Sequence, residues 1–157
     1  MLLIPRKLLR EMLVHARRCA PREACGVVAG IRRGDRRYVR AVYHCRNVSP
    51  MPEVEYTIDP EELVRVIADI EERSLEVLGF YHSHPHGGVV PSGIDRARAS
   101  WHDASYVIIN LRGEAASWVW DEDSGKFRRE ELSVVEDGSH HRVEEKHKGE
   151  GQDERAR

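Results

Sequence analysis

Cysteine is scarce in this sequence. Cys19, Cys25 and Cys45 are the only three in 157 residues, and no two stand as C-x-x-C. An odd number without that spacing argues against a disulfide framework and against a cysteine-built zinc site. Long hydrophobic runs are missing too. "MLLIPRKLLREMLV" is apolar at first, but Pro5, Arg6 and Lys7 interrupt it, far short of the ~20 apolar residues that span a bilayer. With no signal peptide and no span to read, a cytoplasmic protein without a membrane partner is expected. Nor is one sign of charge in excess. Twenty-five basic residues face 27 acidic ones, a formal net charge of −2, so nothing electrostatic points to nucleic acid or an anionic membrane. Arg6, Lys7, Arg10, Arg17 and Arg18 gather early and Glu61, Glu62, Asp69, Glu71 and Glu72 later, as solvated helix faces do.

Several catalytic signatures are absent as well. The chain has no H-E-x-x-H, no P-loop, no G-x-G-x-x-G after a strand and no G-x-S-x-G, which removes the usual helical zinc proteases, nucleotide binding and serine hydrolysis. The H-x-E and P-C-x-x-C pair of base deaminases is also missing. Cys25 lies in a buried apolar run, a poor setting for a reactive thiolate, and reads as structural.

What remains is the pattern of one ordinary domain, with a real core over residues 1–135. Leu8, Leu9, Met12, Leu13 and Ala16 recur at helical spacing and predict an amphipathic helix. "ACGVVAGI" predicts a buried strand, "RRGD" a turn, and "RRYVRAVYHCRN" a partner strand. "SPMPEVEYTI" reads as a loop ending in a short strand. Asp59 as N-cap, Pro60 at the first position and acids in the first turn start a second helix. Its apolar face is read as Val64, Ile67, Ala68 and Ile70. "LEVLGFYHSH" predicts a strand and "SGIDRARASW" a helix; "SYVIINLRG" and "EAASWVWDED" are strands, "DSGK" a turn, and "KFRREELSVV" a last strand or irregular edge. The polar stretch 136–157, with His140, His141 and His147, reads as a disordered tail. The order of elements suggests an α/β domain, one mixed sheet flanked by helices.

The chemistry concentrates in "GFYHSHPHGGVVPSGID". On a strand, residues two apart share a face, so His82 and His84 present both imidazoles together while Ser83 points away. Ser92 and Asp95, three apart in a first helical turn, also meet. Two imidazoles and a carboxylate are a proper ligand set for zinc with one position open. Each piece also has a plainer explanation. H-x-H arises by chance, and Ser-Gly-Ile-Asp fits a capping box with Ser92 as N-cap and Asp95 reaching back. A metal site would further need a general base from elsewhere. Glu23, in "PREACGVVAG", stands at the mouth of the first buried strand, where a lone glutamate is ordinarily a solvent-facing acid.

Together, "PREACGVVAG", "YTIDPEEL" and "GFYHSHPHGGVVPSGID" resemble the JAMM (MPN-plus) metalloprotease family. The shared signature is a glutamate, then H-[ST]-H-P, a seven-residue spacer (Pro85 to Pro91), a serine, and an aspartate three further on. The resemblance covers residues 5–125 and extends to the proteasome-lid deubiquitinase subunit. It implies a cytidine-deaminase-like fold and one catalytic zinc held by His82, His84 and Asp95, with water as fourth ligand. It further implies Glu23 as general base and then acid, and Ser92 as donor to the tetrahedral oxyanion. The implied activity is an isopeptidase cutting ubiquitin or a ubiquitin-like protein from lysine, in the manner of a deubiquitinase. Proteasome or sulfur-transfer components are further candidate partners. Two alternatives stay open: processing of a sulfur-carrier C-terminus, and a non-enzymatic scaffold. Phe80 stands where many members have tryptophan, and the long insertions of the eukaryotic deubiquitinases are absent, as in compact archaeal or bacterial members.

Overall fold

Apolar runs and alternation build one eight-stranded sheet, described in a computed structural model over residues 1–136. The strands are β1 (Leu2–Pro5), β2 (Cys25–Arg33), β3 (Arg36–Cys45), β4 (Glu76–His84), β5 (Ser105–Asn110), β6 (Ala115–Asp121), β7 (Lys126–Glu130) and β8 (Leu132–Val135). The helices are α1 (Arg6–Cys19), α2 (Pro60–Glu72) and α3 (Gly93–Arg98). Across the sheet the order is β7-β6-β5-β4-β2-β3-β1-β8. β4 runs parallel to β5, β1 runs parallel to β3 and β8, and the other pairs are antiparallel. The mixed sheet with flanking helices is the expected class.

Both faces are covered. On one, α1 packs Met12 and Ala16 onto Leu2, Val28, Leu78 and Tyr81. On the other, α2 packs Val66 and Ile70 among Val27, Ala29 and Phe80. Strands buried on both faces lose the clean alternation of a half-solvated sheet, which is why β2 is an unbroken apolar run.

Three local expectations are corrected, and one strand joins them. The α2 face is Leu63, Val66, Ile67 and Ile70; Val64 is 68% exposed and Ala68 is exposed as well. Counting the 3.6-residue period from Leu63 rather than Val64 gives the observed stripe. Residues 46–59 form a loop whose sheet-like pairing is one bridge, Asn47 to Ile58. "LLIP" at the front of the chain is a strand, β1. Finally, "KFRREELSVV" is two strands parted by Glu131 alone, and they lie on opposite edges of the sheet. The sheet must therefore curl, and Arg37 of β3 reaches Ser105 of β5 at 3.0 Å and Glu130 of β7 at 3.9 Å. All three cysteines are free, as expected, with Cys25 opposite Cys45 across β2 and β3. Beyond Glu136, the tail and its histidines lie outside the described residues.

Candidate metal centre

β4 ends in the H-S-H triplet, and its pleat sends His82 and His84 to the α2–α3 face and Ser83 to the other. The buried Ser83 ties β4 to β2, its Oγ accepting the Ala24 N–H at 2.7 Å and its own N–H donating to Ala24 O at 3.0 Å. Cys25 stands opposite His82 in the antiparallel pair. Continuing that register two residues back brings Glu23 across from His84. The glutamate is thus delivered by strand pairing, not by nearness in sequence.

α3 starts as the sequence predicts. Ser92 is its N-cap with φ −78° and ψ 171°, and the capping box is complete: Ser92 Oγ accepts the Asp95 N–H at 3.0 Å, and Asp95 Oδ2 accepts the Ser92 N–H at 2.9 Å. The same Oδ2 faces the histidines, 3.2 Å from His82 Nε2 and 3.0 Å from His84 Nε2. The two Nε2 atoms are 3.1 Å apart. Capping and the triangle of donors are one arrangement, not rival ones.

These three atoms suit a cation. Gly88 O can only accept, so the 2.8 Å contact puts the hydrogen of neutral His84 on Nδ1 and leaves a lone pair on Nε2. That lone pair points at an ionised carboxylate oxygen and at a second imidazole nitrogen, which is repulsive unless a proton or a metal cation lies between them. His82, His84 and Asp95 are the cluster of metal-ligating type among the described residues, and two imidazoles with one carboxylate match zinc.

The electrostatics agree. Burial pushes the Asp95 carboxyl upward, but hydrogen bonds with His82 and His84 and from the Ser92 N–H hold it well below the usual carboxylate range. Burial lowers His82 against the pull of Asp95 and keeps its ring neutral. For His84 burial also works downward, but Asp95 and the Gly88 carbonyl outweigh it and raise the net value. Tyr56 stacks on His82 with ring centres 4.6 Å apart.

Glu23 is 4% exposed, and its Oε1 has no hydrogen-bond partner among the described residues. Burial, then the charge of Asp95, pushes its carboxyl up to about 8, with Glu55 adding to the rise and His84 opposing it. The plain reading of Glu23 as a solvent-facing acid fails. Beside His82 and Asp95 opens a cavity of about 240 Å³ whose walls include Tyr56, Phe80, Ile94 and Trp101. The loop between β4 and α3 is pinned by the Trp118 Nε1–H to Val89 O bond at 2.9 Å. His86 is exposed in that loop, and His44 stacks on His15 at 4.3 Å, away from the triangle.

Residues 5–121 match the family of prokaryotic homologs of the JAB domain. The chain belongs to this family. Among JAB relatives, it is 43% identical to the desampylase of Haloferax volcanii over 80% of this chain and 88% of that protein. It is 39% identical to a probable TtuB-protein conjugate cleaving protease of Thermus thermophilus, over 73% and 74% of the two chains. It is 34% identical to the CysO-cysteine peptidase of Mycobacterium tuberculosis, over 71% and 74%. The resemblance read from the motifs is thereby shown, and the metal-type triangle sits inside the matched JAB region. Asn47, which ties Glu23 to the β3–α2 loop, carried no signal in the sequence, because its partners are set by the fold.

Proposed function

We propose that this JAB protein is a zinc-dependent isopeptidase, hydrolysing the bond between the C-terminal glycine of a ubiquitin-like modifier and a lysine amine. The observation that carries this reading is the buried carboxyl of Glu23, its Oε1 without a hydrogen-bond partner among the described residues, across from the His82–His84–Asp95 triangle. The relatives whose names describe a desampylase and a conjugate-cleaving protease support the substrate class.

His82 Nε2, His84 Nε2 and Asp95 Oδ2 would hold the metal. When bound, zinc supplies Lewis acidity, polarising an amide carbonyl and bringing the deprotonation of water toward neutral pH. Glu23 does the proton work: it takes a proton from the attacking water and passes it to the departing lysine amine. With no hydrogen bond to Oε1 among the described residues, the carboxyl is free for both transfers. Ser92 Oγ accepts the Asp95 N–H, so its own hydrogen is free to donate to the developing oxyanion, a contact worth about a hundred-fold in rate. A Gly-Gly end suits the reaction because it has no side chain to hold the carbonyl away from the triangle.

A second reading keeps the residues and changes the bond. The CysO-cysteine peptidase relative favours processing of a sulfur-carrier terminus, a main-chain bond. The deciding assay offers zinc-loaded protein a lysine-linked conjugate and a linear fusion of one modifier, each with and without a chelator. Preference for the lysine-linked bond supports the isopeptidase; preference for the fusion moves the assignment to carrier processing. Cleavage undiminished by the chelator would overturn the metal dependence of both.

A further inference from the structure

We propose that Asn47 is a positioning residue for Glu23: its side-chain amide ties the β3–α2 loop to the backbone that bears the carboxyl, and sets turnover through it. The inference rests on the reading of Glu23 as proton carrier.

Glu23 precedes β2 by two residues, on the continued line of the register but beyond Cys25–His82, the last paired position of β2 and β4. A residue in that place needs partners for its backbone polar groups from somewhere else. They come from one loop. The Glu23 N–H donates to Pro52 O at 2.7 Å, and the Glu23 carbonyl accepts from Asn47 Nδ2 at 3.1 Å. Asn47 Nδ2 also reaches Glu55 O at 3.0 Å and Pro52 O at 3.4 Å, while Oδ1 accepts the N–H groups of Ser49 and Thr57, both at 3.0 Å. Carbonyls on one side and N–H groups on the other fix which way the amide faces.

The knot stands in for a strand ladder that the loop lacks, since its own pairing is the single Asn47–Ile58 bridge. At its other end the loop meets α3. Glu55, buried and bonded to the Ser49 hydroxyl, lies 3.3 Å from Arg98, and Arg98 also donates to Thr57 Oγ1 at 3.1 Å. α3 is the helix that carries Asp95. The loop therefore spans the site from the acid–base residue to the metal triangle, and Asn47 is its fastening at the Glu23 end. A shift of the reacting group by about 1 Å costs about a hundred-fold in rate. No hydrogen bond joins Asn47 to His82, His84 or Asp95 among the described residues, so metal affinity has no reason to follow.

Two variants separate grip from fold. Asn47→Ala removes all of the contacts. Asn47→Asp keeps oxygen acceptors for Ser49 and Thr57 and removes the donor to Glu23. In both we expect kcat on the lysine-linked conjugate to fall about a hundred-fold with KM little changed, and zinc affinity, read by titration, to stay at the parental value. Hydrogen exchange of the Glu23 amide should quicken about ten-fold, the factor of one hydrogen bond, while Val27 and Val28 in β2 keep their protection. In Asn47→Asp the Ser49 and Thr57 amides should stay protected too. Parental kcat, a fall in kcat with the Glu23 amide unchanged, or a loosened amide with kcat unchanged would each overturn the proposal. If the parent cuts no conjugate, the functional reading fails instead, and the exchange result alone judges whether Asn47 holds Glu23.

Discussion

Two buried carboxylates at opposite ends of the sheet show what separates a structural charge from a reactive one. Glu130, its side chain 7% exposed, is surrounded by partners: Ser105 Oγ and Ser117 Oγ donate to Oε1 at 2.7 and 2.8 Å, and Arg37 Nε lies 3.9 Å from Oε2. Arg37 is itself held by Asp103 at 2.8 Å. Glu23 is 4% exposed, and its Oε1 has no hydrogen-bond partner among the described residues. One end of the molecule has spent its polar groups on each other and closes the curl of the sheet. The other leaves Glu23 Oε1 without a partner among the described residues, beside the His82–His84–Asp95 triangle. Burial alone does not mark a site; burial without satisfaction does.

The contrast can be broken from either side. His84→Ala should have the largest effect, abolishing stoichiometric zinc and all turnover, while circular dichroism stays native because neither the pairing of β4 nor the cap of α3 uses the ring. Metal analysis of the purified variant checks this. Glu23→Gln should keep zinc and lose about a thousand-fold in kcat, within the range that general acid–base groups contribute. Retained turnover in that variant would remove Glu23 from the mechanism. Glu130→Ala should do the reverse. It strips a buried ion pair of one partner, a loss of about 3 kcal/mol, visible as an earlier urea midpoint, with kcat unchanged. If turnover fell with stability intact, the two ends would not be separable.

The smallest effect is in pH. In metal-free protein the folded Glu23 carboxyl titrates at about 8 against an ordinary 4.5. Between those values the folded state binds more protons than the unfolded, so this residue's contribution to stability is complete below pH 4.5 and lost as pH rises through 8. Glu23→Gln has no such loss. Urea unfolding with chelator should show the variant gaining on the parent from pH 5 to 8; a constant difference would mean the carboxyl is not perturbed.

What was legible in the sequence follows from the range of each interaction. His82 and His84 share a face because a strand repeats every two residues, and Ser92 and Asp95 close a box within one turn. Both are local, and both are as read. Glu23 is different. Its place beside His84 depends on the β2–β4 register across some sixty residues, and without the family resemblance it was an unremarkable acid. Asn47 depends on partners up to 24 residues away and gave no sign. The split of β7 from β8 at Glu131 is invisible for a related reason: nothing local says that the chain crosses from one sheet edge to the other. The α2 stripe failed by one residue, since Val64 and Leu63 are equally apolar and only packing chooses between them.

Asp95 Oδ2 answers both imidazoles and the first free N–H of α3, so it cannot be lost in halves. A descendant that gave up hydrolysis at Asp95 would lose the side-chain half of the α3 capping box in the same step. A descendant that gave it up at His84 would keep β4 paired and α3 capped. Non-catalytic offshoots of this fold should therefore shed their histidines first and carry the serine–aspartate pair as a relic of chemistry they no longer perform.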